Sequence, residues 1–193
     1  MPIGKTVDRR IARTKRALLD ALHSLISEKD YDAIVVKEIL DRANVGRSAF
    51  YTHFSDKDDL LSHGIYDILG GLASRHSQTG ETRNSDPLWF SLLIFEHVDR
   101  QRRTTMHKLG PRGAAILHRR LNQVLVTLIA EQFCTGLRKH SRPDKIPSDL
   151  LAQYLAGTFV LVLNLWIEST SQIAPHAVND LFRSLVLPTL ASN

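Results

Sequence analysis

The stretch NVGRSAFYTHF, Asn44 to Phe54, crowds Arg47, Ser48, Tyr51, Thr52 and His53 onto one short segment. An arginine can fork onto the edge of a guanine, and a threonine offers a methyl and a hydroxyl to a base. Tyr51, His53 and the nearby Lys57 can donate to phosphate oxygens, contacts that position a protein without specifying sequence. Such a set suits gripping the major groove of double-stranded DNA. The same pattern also fits a small helical bundle with a polar surface. One detail counts against that alternative: Tyr51 follows the inward-facing Phe50 on a helix of barely two turns, a poor place for exposed aromatic surface unless something covers it.

Three helices must position these groups. Ile11, Leu18, Leu22, Leu25 and Ile26 recur at helical spacing, so a first helix is expected over roughly residues 9 to 28, with Arg9, Arg13, Arg16 and Asp20 opposite. Val36, Ile39, Leu40 and Ala43 follow the i, i+3, i+4, i+7 rule over a second helix, which Asn44-Val45-Gly46 breaks. On a third, short helix Phe50 and Phe54 share an inner face and leave the polar groups outside. Two short helices joined by a tight turn and backed by a third are the layout of a helix-turn-helix. Ser55 is expected to cap a fourth helix, with Asp58 at the capping-box position and Leu61, Ile65, Ile68 and Leu72 as its apolar stripe.

Beyond the breaker-rich loop GETRNSDP, helices are expected at about 87 to 100, 102 to 109, 113 to 137, 148 to 171 and 175 to 190, with RKHSRPDKIP as a loop before the last two. No strand alternation or internal repeat is evident. The fold class is therefore all-α: a helix-turn-helix domain over residues 1–60 and a larger helical bundle over 61–193. In the final helix Pro175 suits the first turn, and Val178, Leu181, Phe182, Leu185 and Val186 make an amphipathic face. The 25 basic and 20 acidic residues leave a net charge of +5, a weak preference for polyanions that does not establish a nucleic-acid partner.

The start, MPIGKTVDRRIARTK, lacks the apolar core of a signal peptide, and the run LAGTFVLVLNLWI is too short to span a bilayer, so a soluble, cytoplasmic protein is expected. Cys134, the only cysteine, permits no intrachain disulfide and reads as a buried structural thiol.

The segment VVKEILDRANVGRSAFYTHFSDKDDLL resembles the DNA-binding segment of TetR-type transcriptional regulators, and the match extends over about residues 9 to 61. The resemblance implies that Lys37 and Arg47 contact bases, that Ser48 and Thr52 face the groove, and that Tyr51, His53 and Lys57 grip phosphates. Three positions depart from the pattern. Val35 stands where a hydroxyl residue often caps the second helix, Asn44 replaces a frequent turn glycine, and Gly46 replaces a frequent serine cap. The stretch YLAGTFVLVLNLWIES looks like the penultimate helix of that family, whose last two helices pair with a second subunit. A homodimer reading a palindromic operator is implied, more readily as a repressor than as an activator.

The same resemblance implies a small-molecule effector in the second half, where Trp89, Phe90, Phe95, His97, Met106, Phe133 and Trp166 supply material for a pocket, although aromatics at helical spacing more often make a core. By that resemblance the effector shifts the fourth helix and so alters the spacing of the two recognition helices. No cofactor or metal is expected. A glycine-rich phosphate loop, a His-Glu-x-x-His pattern and a Gly-x-Ser-x-Gly elbow are all missing, so an enzyme is not expected, and His118 with Arg119 and Arg120 reads as a solvated basic face. The remaining alternative is a protein-binding helical adaptor that has lost DNA binding.

Overall fold

A computed structural model describes residues 3–78, 86, 88–102, 108–136, 146–169 and 173–191. Among them are eight α-helices and no strand: α1 (Ile3–Glu28), α2 (Val36–Ala43), α3 (Arg47–Tyr51), α4 (Lys57–Gln78), α5 (Phe90–Arg102), α6 (Gly110–Gly136), α7 (Ser148–Glu168) and α8 (Pro175–Ala191), with a 3₁₀ turn at Tyr31–Ala33. Residues 103–107 of the helix expected over 102 to 109 and most of both expected loops fall outside the described residues.

The described chain forms two compact units. The first holds everything up to Ile65 and also residues 108–117, the opening of α6. The second holds α4 from Tyr66, α5, α6 from His118, α7 and α8. The N-terminal unit is thus discontinuous in sequence.

In the first unit Leu18, Leu22, Leu25 and Ile26 form the buried stripe of α1 and pack with Ile39, Phe50, Phe54 and Leu60, all at most 4% exposed. α2 ends as Asn44 turns left-handed (φ 52°, ψ 48°), and the Val45 amide closes back on the Leu40 carbonyl at 3.1 Å. Asparagine accepts this conformation more readily than most residues, which explains its stand-in for glycine. Gly46 then sits extended (φ −68°, ψ 148°) as the N-cap of α3.

The cap of α4 differs from expectation. Asp56 is the residue whose side chain receives the Asp59 amide (2.8 Å), while Asp59 reaches back to the Ser55 amide (3.0 Å). Helix α4 starts at Lys57, so the residue immediately before it is the one placed to cap, and Ser55 lies one position too early.

In the second unit Phe159 of α7 is the hub, with ring centroids 5.4 Å from Phe90, 4.9 Å from Phe95 and 5.2 Å from Phe182; Trp166 meets Phe95 at 5.6 Å. These edge-on and tilted pairs bind α5, α7 and α8 into one core. A buried hydrogen bond from Ser91 to Asn179 (2.6 Å) also crosses between α5 and α8. His118 is not simply part of a solvated face: its Nδ1 lies 3.1 Å from the Asn164 amide nitrogen, joining α6 to α7. The apolar run expected to be too short for a membrane belongs to a 21-residue helix that is long and apolar enough to cross one, with half of its apolar window buried inside the protein.

Candidate nucleic-acid interface

Helix α3 has only five residues, and its two faces differ sharply. Phe50 is fully buried and Phe54, just past the helix, is 3% exposed; their rings lie 5.8 Å apart. His63 stacks edge-on to Phe54 at 5.5 Å, and the Lys15 ammonium lies 5.8 Å from the same ring. These contacts fix the inner face, and the helical period then turns Arg47, Ser48, Tyr51 and Thr52 outward.

Tyr51 is 49% exposed, and the Arg47 guanidinium one turn earlier lies 5.7 Å from its ring centroid. A guanidinium resting on an aromatic face has fewer conformations to lose on binding and keeps its in-plane donors for another partner. Thr52 donates its hydroxyl proton to the Ser48 carbonyl (2.8 Å), so its lone pairs and methyl are what it can present to a base. Lys37 on α2 is exposed and His53 is half-buried. Six of the seven residues expected at DNA therefore lie at least partly open on α2, α3 and the residues just after α3.

Lys57 has another environment. Its ammonium donates to the carbonyls of Tyr31 (2.8 Å), Asp32 (3.2 Å) and Ile34 (2.8 Å) and lies 4.6 Å from the Tyr31 ring centroid. An ammonium has three protons, and all three have internal acceptors here. Burial and the neighbouring Arg112 charge push its pKa below the usual lysine value. Where the resemblance implied a phosphate contact, the structure gives the Lys57 ammonium internal acceptors, which tie the start of α4 to the turn leading into α2.

At the N-cap of α2, the exposed Val35 offers no side-chain acceptor, but the Glu38 carboxylate receives the Val35 amide (3.0 Å), half of a reciprocal cap. Glu38 also pairs with Lys29 (2.5 and 2.7 Å), and Arg42 pairs with Glu28 (Nη2 to Oε2, 2.9 Å), so two ion pairs join α2 to the end of α1 and the residue after it. The Lys29 contact and the Val35 amide hold the Glu38 carboxyl below its ordinary pKa, and Arg42 does the same for Glu28. None of these pairings was read from the sequence, although the 3-residue spacing of Glu38 from Val35 was a usable signal.

The residues expected to line an effector pocket are only partly brought together. Phe90, Phe95 and Trp166 are 2, 0 and 3% exposed and pack in the aromatic core. His97 is half-buried, while Met106 and the side chain of Phe133 lie outside the described residues. An open cleft of 470 Å³ in the second unit is lined by other residues, Asn122, Gln123, Val126, Thr127 and Gln153.

Comparisons with known proteins agree with this anatomy. The profile described as bacterial regulatory proteins, tetR family, matches residues 18–63, and one described as transcriptional regulator C-terminal region matches residues 86–187. An uncharacterized HTH-type transcriptional regulator, YxbF, of Bacillus subtilis is 40% identical over 58 residues, which are 30% of this chain and only 15% of that relative. RolR in complex with resorcinol has a TM-score of 0.63 at 18% identity, over 94% of this chain and 89% of that one. Thermus thermophilus FadR, a TetR-family repressor in complex with lauroyl-CoA, has a TM-score of 0.62 at 19% identity, over 91% and 94%. At such identities the structural likeness speaks for the fold alone. The two profiles together span the helix-turn-helix and most of the second unit, and the chain is accordingly a member of the TetR family of transcriptional regulators, a family of regulators rather than enzymes, with α2 and α3 as the helix-turn-helix of its DNA-binding domain.

Proposed function

We propose that this regulator is a cytoplasmic, ligand-responsive homodimer that represses transcription by binding a palindromic operator. The observation that carries the reading is the outward face of α3, where Arg47 rests on a half-exposed Tyr51 beside Ser48 and Thr52. Arg47 and Lys37 are assigned to base edges, Ser48 and Thr52 to the groove surface, and Tyr51 and His53 to phosphates.

Dimerisation is supported by apolar surface on the last two helices. Leu150, Tyr154, Leu161 and Leu165 recur along one side of α7 at 41 to 59% exposure, and Leu181 and Leu185 of α8 are about half exposed. A Cβ added at Gly157, midway along the α7 stripe, would meet nothing within 4 Å, so the stripe has room there for a close neighbour. A contiguous apolar face of this kind is costly in water unless covered, and a two-fold partner would also bring a second α3 to the next half-site.

Ligand response draws support from the structures of RolR with resorcinol and FadR with lauroyl-CoA. In this chain Phe90 and Phe95 close on Phe159, and Trp166 closes on Phe95, so an effector either parts these rings or sits among other residues of the second unit. Displacement of α4 by the effector would change the spacing of the two reading heads and lower operator affinity, by as much as the effector prefers one conformation over the other.

The test is binding to DNA flanking the protein's own gene, against excess unrelated duplex and at several salt concentrations. A retained preference is expected, with affinity falling steeply as salt rises. Tyr51→Ala should weaken binding to all duplexes alike, and Arg47→Ala should relax preference at one position of each half-site, worth about 1–3 kcal/mol. Parent-like binding by both variants would refute the assigned docking.

A further inference from the structure

The opening of α6 is built into the DNA-binding unit. The Lys108 ammonium donates to the Ser27 carbonyl in the last turn of α1 (2.7 Å), and Leu109 is 6% exposed. Gly110 has φ +62°, where a side chain is strained, and an added Cβ would lie 3.2 Å from a carboxylate oxygen of Asp32. A Cβ added at Gly113 would lie 3.3 Å from the Tyr31 ring, so the two glycines seat α6 closely against the 3₁₀ turn.

A single carboxylate joins the pieces. Oδ2 of Asp58, in the first turn of α4, accepts both Nε and Nη2 of Arg112, at 2.8 and 2.6 Å. Its Oδ1 accepts the hydroxyl of the fully buried Tyr31 at 2.5 Å. The neighbouring Lys57 holds the carbonyls of Tyr31, Asp32 and Ile34, and the very next residues, Val35 and Val36, open α2. Three segments far apart in sequence thus converge on Asp58, directly behind the entry to the helix-turn-helix. Burial opposes ionisation of Asp58, but Tyr31 and Arg112 outweigh it and hold the carboxyl below its ordinary pKa.

We infer that Arg112 is a positioning residue: its forked contact with Asp58 latches the start of α6 to the 3₁₀ turn and α4, and the helix-turn-helix keeps its DNA-competent setting only while the latch is closed. The functional half of this inference rests on the DNA-binding reading above. The latch is built to be reversible. The Arg112 side chain is 61% exposed against 24% for Asp58, so water can take over one partner when the contact opens.

The experiment compares the full-length parent with Arg112→Gln, Asp58→Asn and the double variant by amide hydrogen exchange without DNA, and by the ratio of affinities for the gene-flanking and unrelated duplexes. Opening the latch should speed exchange of the Ile34, Val45 and Phe50 amides about five- to tenfold, with α7 amides near Phe159 unchanged, and should lower the affinity ratio by a similar factor. The double variant should add nothing to either single one. Unchanged exchange at those three amides would overturn the inference, as would equal acceleration throughout α7, which marks a general loss of stability. If the parent prefers neither duplex, the DNA-binding reading fails with the functional half of the inference, and the exchange data still decide whether the latch exists.

Discussion

Replacing Lys57 by methionine separates a lysine that supports the fold from one that touches DNA. The ammonium donates to three carbonyls, of which Tyr31 and Ile34 are part-buried partners at 2.8 Å and Asp32 is an exposed one at 3.2 Å. Water can replace the exposed contact at little cost. The other two carbonyls lose a charged donor, at about 1–1.5 kcal/mol each once partial rehydration is allowed for. Methionine keeps most of the stem, can still lie against the Tyr31 ring, and removes the cost of a partly buried charge, recovering about 0.5–1 kcal/mol. The net destabilisation is therefore about 2 kcal/mol, read as a shift in the urea midpoint at constant slope. DNA binding supplies the second measurement. A lysine on a phosphate contributes about 0.9 to the slope of log affinity against log salt, whereas an internally bonded one contributes nothing by direct contact. Lys57→Met at a temperature where it remains folded should thus keep the parent slope. A slope reduced by about one per subunit with an unchanged urea midpoint would refute the structural assignment of Lys57.

Three further outcomes follow from the geometry. Val35→Thr should complete the reciprocal cap already half made by Glu38, raising stability by about 0.5–1 kcal/mol in the same urea experiment; an unchanged midpoint would mean that the added hydroxyl does not engage the Glu38 amide. Asp58, Glu28 and Glu38 all have pKa values held below the ordinary carboxylate range in the folded state. Groups depressed in this way stabilise the fold above their unfolded pKa of about 4 and lose that contribution as pH falls through the lower folded values, so the melting temperature should drop below about pH 4, less steeply in Asp58→Asn. Leu161→Glu and Leu165→Glu place charge on the exposed α7 stripe and should halve the mass seen in sedimentation while preserving helical circular dichroism; a parent-like mass would move the dimer interface elsewhere.

What could be read along the chain was whatever is settled within a turn or two of helix. The spacing of Val36, Ile39, Leu40 and Ala43 marks α2, and the structure places that helix over those residues. Asn44 tolerates φ > 0, and it is the described non-glycine residue that adopts it. Phe50 and Phe54, four apart, turn to one side and are buried, which leaves Arg47 and Tyr51 on the other. Pro175 opens α8 as expected, because a missing amide proton costs nothing in the first turn. The near miss at the α4 cap, Asp56 in place of Ser55, shows how far this reasoning resolves: it finds the helix start but not always the capping residue.

The sequence by itself thus determined an all-helical chain with a helix-turn-helix and a polar outer face on α3, because helical periodicity and turn chemistry act between residues at most four or five apart. Tertiary structure decided the rest. Whether Lys57 reaches outward or inward depends on carbonyls 23 to 26 residues away, and the Arg112–Asp58 contact spans 54 residues. Whether Phe90 and Phe95 line a cavity or fill a core depends on Phe159 and Trp166 arriving from a different helix. Such partners have no fixed spacing to read, because they meet only after the chain has folded back and buried its apolar stripes, and that burial determines which charges find a partner and which remain exposed.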